Sequence, residues 1–147
     1  MTVTISTALL MPAATLILWS LIMLFWLAFT RFSAFKVANI DLATTPPGGR
    51  GQDLEGVLPA PVNWPAHNYA HLMEQPTIFY PAVLILALTG QDNALNLGLA
   101  WAYVALRIVH SLWQATVNRI PLRFGIFILS TMALLVLAVR AFLAVLN

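Results

Sequence analysis

The chain has 147 residues, 61% of them hydrophobic and only 8% charged, with seven Lys or Arg, five Asp or Glu and a formal net charge of +2. Mean hydropathy is +0.86; soluble domains carry roughly 25% charged residues, so this balance excludes a soluble globular protein and specifies an integral membrane one. Cys is absent, which excludes disulfides, thiolate metal sites and a cysteine nucleophile, and no basic run interleaved with aromatics points to nucleic acid.

Four apolar stretches approach or exceed the ~20 residues needed to cross a hydrocarbon core of ~30 Å. They fall at about 8–30, 65–88, 94–117 and 122–146, and the expected fold is an all-α, integral membrane four-helix bundle of antiparallel crossings in one domain, 1–147. The first stretch has no Lys or Arg before it and exceeds the short apolar core of a secretory signal, so a retained helix is expected. Arg31, Lys36 and Arg50 follow it, and Arg119 and Arg123 flank the connection between helices 3 and 4. Concentration of positive charge on those two loops places them in the cytoplasm and both termini on the non-cytoplasmic side.

The one long polar segment, 31–64, contains Thr44-Thr45-Pro46-Pro47-Gly48-Gly49-Arg50-Gly51. Pro and Gly at that density interrupt helix and strand alike, so a mostly irregular loop is expected. Asn118-Arg119-Ile120-Pro121 is short by contrast and makes helices 3 and 4 close neighbours, with Pro121 suited to the first turn of helix 4.

Charge inside an apolar run costs several kcal/mol unless paired or wet, so Glu74 and Arg107 mark a candidate site. His67, His71 and Glu74 are spaced i, i+4, i+7 on helix 2, and Tyr103, Arg107, His110 and Gln114 are spaced i, i+4, i+7, i+11 on helix 3. Each set forms one stripe. Antiparallel packing brings the two stripes to similar depth in the cytoplasmic half, where Arg123 enters from helix 4. The result is a basic, hydrogen-bonding pocket suited to an anionic ligand, or alternatively a Glu74–Arg107 bolt between helices. Arg140, near the outer end of helix 4, is expected to snorkel to the interface. The three His with Glu74 include metal-ligand types, but their spacing carries little specificity and no metal is expected. Neither an inverted repeat nor a polar line through the outer half suggests transport.

Asn68-Tyr69-Ala70-His71-Leu72-Met73-Glu74-Gln75-Pro76-Thr77-Ile78-Phe79-Tyr80 resembles the helix 2 signature of the MAPEG family, the membrane-associated proteins in eicosanoid and glutathione metabolism, in particular its bacterial branch. Leu106-Arg107-Ile108-Val109-His110-Ser111-Leu112 resembles the helix 3 signature and Ile120-Pro121-Leu122-Arg123 the entry to helix 4. The resemblance implies a homotrimer, in a bacterial inner membrane, that binds glutathione between protomers and acts as a transferase or peroxidase on lipophilic electrophiles or hydroperoxides. Carried over by position, Glu74 would bind the glutathione amine, His71 would occupy the place of an Asn, Arg123 would favour the thiolate, and Arg107 and His110 would line the pocket. The chain departs from the pattern at His67, where many members carry Arg, and at Gln114 and Phe127, where the eicosanoid enzymes carry Tyr. Those departures are also compatible with a non-catalytic accessory subunit of a larger membrane complex.

Overall fold

The computed structural model describes residues 7–146, all of whose regular structure apart from one isolated bridge is helical: α1 (Thr7–Val37), a 3₁₀ turn (Gly51–Leu54), α2 (Ala60–Leu72), α3 (Pro76–Leu88), α4 (Ala94–Thr116) and α5 (Ile120–Leu146). Residues 1–6 and Asn147, at the termini expected on the non-cytoplasmic side, lie outside the described residues. Helices α1, α4 and α5 are each long and apolar enough to cross a membrane.

Helix α1 runs seven residues past the expected end at Thr30. Arg31 and Lys36 end the apolar run without ending the helix, since both are good helix formers. Termination comes at Asn39, whose φ of 52° is left-handed, with Ile40 N–H closing onto the Phe35 carbonyl at 3.0 Å. At roughly 1.5 Å per residue the 31-residue helix is longer than the ~30 Å hydrocarbon core, so part of it projects into the polar region.

The segment between α1 and the second crossing is shorter and more ordered than the expected loop 31–64. Helix α2 begins at Ala60, not at Pro65, because Pro61 in its first turn presets the helical φ. The loop folds back on both helices. Arg31 Nη2 donates to the Gly51 carbonyl at 2.9 Å, and Gly51 allows that approach, because a Cβ there would collide with Arg31 Nη1. Asn63 Nδ2 donates to the Leu54 carbonyl at 3.4 Å, and Leu58 is buried.

The second crossing is broken. Expected as one helix over 65–88, it is two, because Pro76 has no N–H to bond the Leu72 carbonyl and its ring crowds that carbonyl. Residues 73–75 form a tight turn in which Met73 N–H bonds the Ala70 carbonyl at 2.9 Å and Ile78 N–H bonds that of Gln75 at 3.0 Å. Gln75 keeps helical dihedrals, so the chain runs on. Helix α2 packs on α1 and α4, whereas α3 packs on α1 and α5, and α4 and α5 form the most extensive pair.

Leu9, Leu16 and Met23 of α1 recur at seven-residue intervals and are buried against Phe79, Val83 and Leu86 of α3, Tyr103 and Val104 of α4 and Leu134 and Leu137 of α5. In lipid such contacts are favourable through close packing, because hydrocarbon outside the bundle is as apolar as the core. Buried polar residues therefore stand out, and most of them lie on α2 and α4.

Candidate functional site

Helix α4 is the amphipathic element of the bundle, and the stripe read from its sequence is the face it buries: Tyr103, Arg107, His110 and Gln114 are all inside, with Ser111 beside them. Arg107 is 1% exposed. Its Nη2 donates to the His71 carbonyl at 3.3 Å, and its guanidinium carbon lies 5.8 Å from the Tyr103 ring centre and 5.9 Å from that of Phe127. The Pro76 break leaves the last carbonyls of α2 without their ordinary i+4 partners, and Arg107 takes one of them.

Three elements converge on the cluster. The His71 and His110 rings lie 5.0 Å apart, and Phe127 of α5 packs on them at 5.3 and 6.4 Å respectively. His71, His110, Ile120, Arg123, Phe124 and Phe127 line a cleft of about 180 Å³. Arg123 is aimed by the turn preceding α5: Asn118 holds φ 55°, a conformation Asn tolerates better than most residues, and its Oδ1 accepts from Arg123 Nη1 at 2.5 Å. Among the described residues, neither Arg107 nor Arg123 forms an ion pair.

Glu74 does not join Arg107. Its side chain is 68% exposed and accepts from His71 Nδ1 at 2.9 Å, because the turn over 73–75 rotates it off the stripe that an unbroken helix would have given. A carboxylate accepts, so Nδ1 carries the proton, and in the neutral imidazole His71 Nε2 is then an acceptor. His67 is also apart from the cluster. It is exposed and meets Glu55 of the loop through Nε2 at 2.9 Å. The break sends Gln75 inward instead, where Nε2 donates to Thr131 Oγ1 at 2.8 Å and Oε1 accepts from Tyr103 at 3.4 Å.

Asn68 is a candidate site residue that the stripe argument passed over. It is 0% exposed, and neither its Oδ1 nor its Nδ2 has a hydrogen-bond partner within the chain. Arg107 Nε and Nη1, Ser111 Oγ and Gln114 Oε1 are likewise buried and unpartnered. An unsatisfied buried polar group costs roughly 1–3 kcal/mol, more when charged, so such a concentration marks the cluster as a candidate ligand site. The available signal was the spacing: Asn68 stands three residues before His71, and Ser111 four after Arg107.

A second, larger cavity of about 600 Å³ lies between α1 and the start of α2, with Trp26, Phe29, Val37, Leu58 and Val62 in its mostly apolar lining. It shares no residue with the cleft around Arg123.

Comparison with known proteins yields one finding. The sequence model of the MAPEG family matches residues 9–143. No curated protein and no solved structure gives a match.

Proposed function

The chain belongs to the MAPEG family of membrane proteins, and from that premise we propose that it is a glutathione-dependent transferase or peroxidase acting on lipophilic electrophiles or hydroperoxides. The observation that carries this reading is the set of unpartnered donors and acceptors on Asn68, Arg107, Ser111 and Gln114 beside a cleft containing a second Arg and two imidazoles. Glutathione offers two carboxylates, two amides and a thiol, groups that match guanidinium, amide and hydroxyl partners. The donor set therefore fits the co-substrate.

Within that reading Arg123 has the chemical role. A thiol of pKa ~8.5 is mostly protonated at neutral pH, and a guanidinium that never titrates away favours the anion. His71 Nε2 and His110 are the nearest groups able to take the thiol proton. In the transferase reaction the thiolate sulfur attacks an electrophilic carbon. In the peroxidase reaction two thiols become one disulfide while the hydroperoxide gives an alcohol and water.

The cleft of about 180 Å³ falls below the roughly 300 Å³ at which small-molecule pockets begin, and Glu74 beside it faces outward. A pocket completed by a second copy accounts for both, so we place the site between protomers of a homotrimer. Its Arg-rich end would lie on the cytoplasmic side and both chain termini opposite, in a bacterial inner membrane.

Calorimetric titration of glutathione into the purified protein in neutral detergent tests the proposal, with Glu74→Gln and Arg123→Ala run alongside. Saturable binding to the parent, weakened in folded variants, supports it. No binding at millimolar glutathione by folded protein would defeat it and make an accessory subunit of a larger membrane complex the leading reading.

A further inference from the structure

At the opposite end of the bundle from the glutathione site lies a second cation with a built setting. Arg140, near the outer end of α5, donates through Nε to Asn96 Oδ1 on α4. Asn96 is wholly buried and fixed twice more: its Nδ2 donates to the Gln91 carbonyl at 2.7 Å, and its backbone N–H bonds Asn93 Oδ1 at 3.1 Å. A guanidinium held through Nε has its orientation set while its two Nη groups stay available as a fork. Neither Nη has a hydrogen bond among the described residues, and Arg140 forms no ion pair there even with Asp92 of the adjoining turn.

That fork borders a cleft of about 180 Å³ lined by Gln91, Arg140, Leu143 and Ala144. One wall is thus cationic and amide-bearing and the other aliphatic. The helix face around Arg140 is apolar and outward: Val136, Val139, Leu143 and Leu146 are all exposed. A planar fork with two parallel N–H donors matches two oxygens of one phosphate, a geometry a point charge such as Lys does not reproduce.

We propose that Arg140, oriented by Asn96 and assisted by Gln91, forms a phosphate-binding site at the non-catalytic end of the bundle. Its ligand is a phosphate monoanion, supplied either by the headgroup of an anionic phospholipid whose chains lie along Val136 and Val139 or by free phosphate. The site is independent of whether glutathione binds at the other end.

Native mass spectrometry of the full chain, delipidated in neutral detergent and then offered phosphatidylglycerol or phosphatidylcholine, tests this. The parent is expected to retain one phosphatidylglycerol per chain about tenfold more than Arg140→Gln does, since Gln keeps a donor for Asn96 but lacks the charged fork. Ala144→Phe, which fills the cleft while leaving Arg140 and Asn96 themselves in place, should lose the same adduct and covers the case in which Arg140→Gln fails to fold. Arg119→Gln, at the far end, should keep it. Displacement of the lipid by millimolar inorganic phosphate would identify free phosphate as a ligand of the site, and resistance to it would identify the lipid headgroup. Equal retention by the parent and by folded Arg140→Gln or Ala144→Phe would overturn the proposal and leave Arg140–Asn96 as a pin between α4 and α5.

Discussion

Asn68 and Arg107 are buried in a way that penalises the free protein. If they exist for a ligand, removing their polarity should help the fold and harm the function. Asn68→Leu, nearly the same volume without the unpartnered amide, is expected to stabilise the ligand-free protein by about 1–2 kcal/mol and to abolish glutathione binding. Thermal unfolding in detergent and calorimetry read the two effects separately, and a lower Tm with unchanged binding would assign Asn68 to packing alone. Arg107→Met keeps length and loses charge, so it should cost little stability, because a buried cation repays its desolvation poorly. Affinity should nevertheless fall about tenfold or more, and Arg107→Lys should not restore it. Arg123 differs in being tested by rate and pH together. Arg123→Ala is expected to lower kcat about 10- to 100-fold at pH 7 with a smaller change in KM. Its activity should climb towards that of the parent as pH rises past ~8.5, where the thiol ionises unaided. A parallel pH profile for parent and variant would remove Arg123 from thiolate stabilisation.

The break between α2 and α3 is the element on which the site depends. It exposes the His71 carbonyl to Arg107, turns Gln75 inward to Tyr103 and Thr131, and moves Glu74 to the surface. Pro76 opens α3 at a position that tolerates Pro, but Ala there supplies the N–H that can bond the Leu72 carbonyl, so Pro76→Ala should raise the unfolding temperature modestly by closing the helix. The same closure would return Glu74 to the stripe and cap the α2 carbonyls, and glutathione affinity should drop. Unchanged affinity in a more stable variant would show that the break is incidental. The limits of sequence reading are visible at this element. Periodicity assigned the α4 stripe correctly, because 3.6-residue spacing survives in any helix that buries one face. It could not place Glu74, since one Pro shifts the phase of the residues before it relative to those after it. A Pro at 76 is a helix-breaking residue in any sequence, but the direction of the rotation depends on what α4 and α5 offer the freed groups. The end of α1 was misplaced for a simpler reason: hydropathy reports where the lipid ends, whereas helix termination is decided by backbone conformation at Asn39.

At the scale of the molecule the question is what covers the faces one chain leaves open. More than half of each long apolar span is unburied, and large side chains such as Phe25, Phe29 and Phe124 face outward. Lipid satisfies such a surface, and the polar cleft on α2, α4 and α5 shares no residue with the apolar cavity on α1. In the proposed homotrimer a head-to-tail interface would set these two different patches against each other and bring the α1 cavity of one copy beside the Arg123 cleft of the next. A lipophilic substrate in the first would then meet a thiolate in the second. The absence of Cys makes this directly testable. In the double variant Phe29→Cys/Phe124→Cys, mild oxidation in native membranes is expected to yield covalent dimers and trimers, whereas neither single variant should build a ladder to the trimer. Native mass spectrometry should show three chains, and dilution that releases single chains should remove glutathione binding while helical circular dichroism persists. Monomers that still bind glutathione would place the whole pocket within one chain and dismiss the ring as a requirement for function.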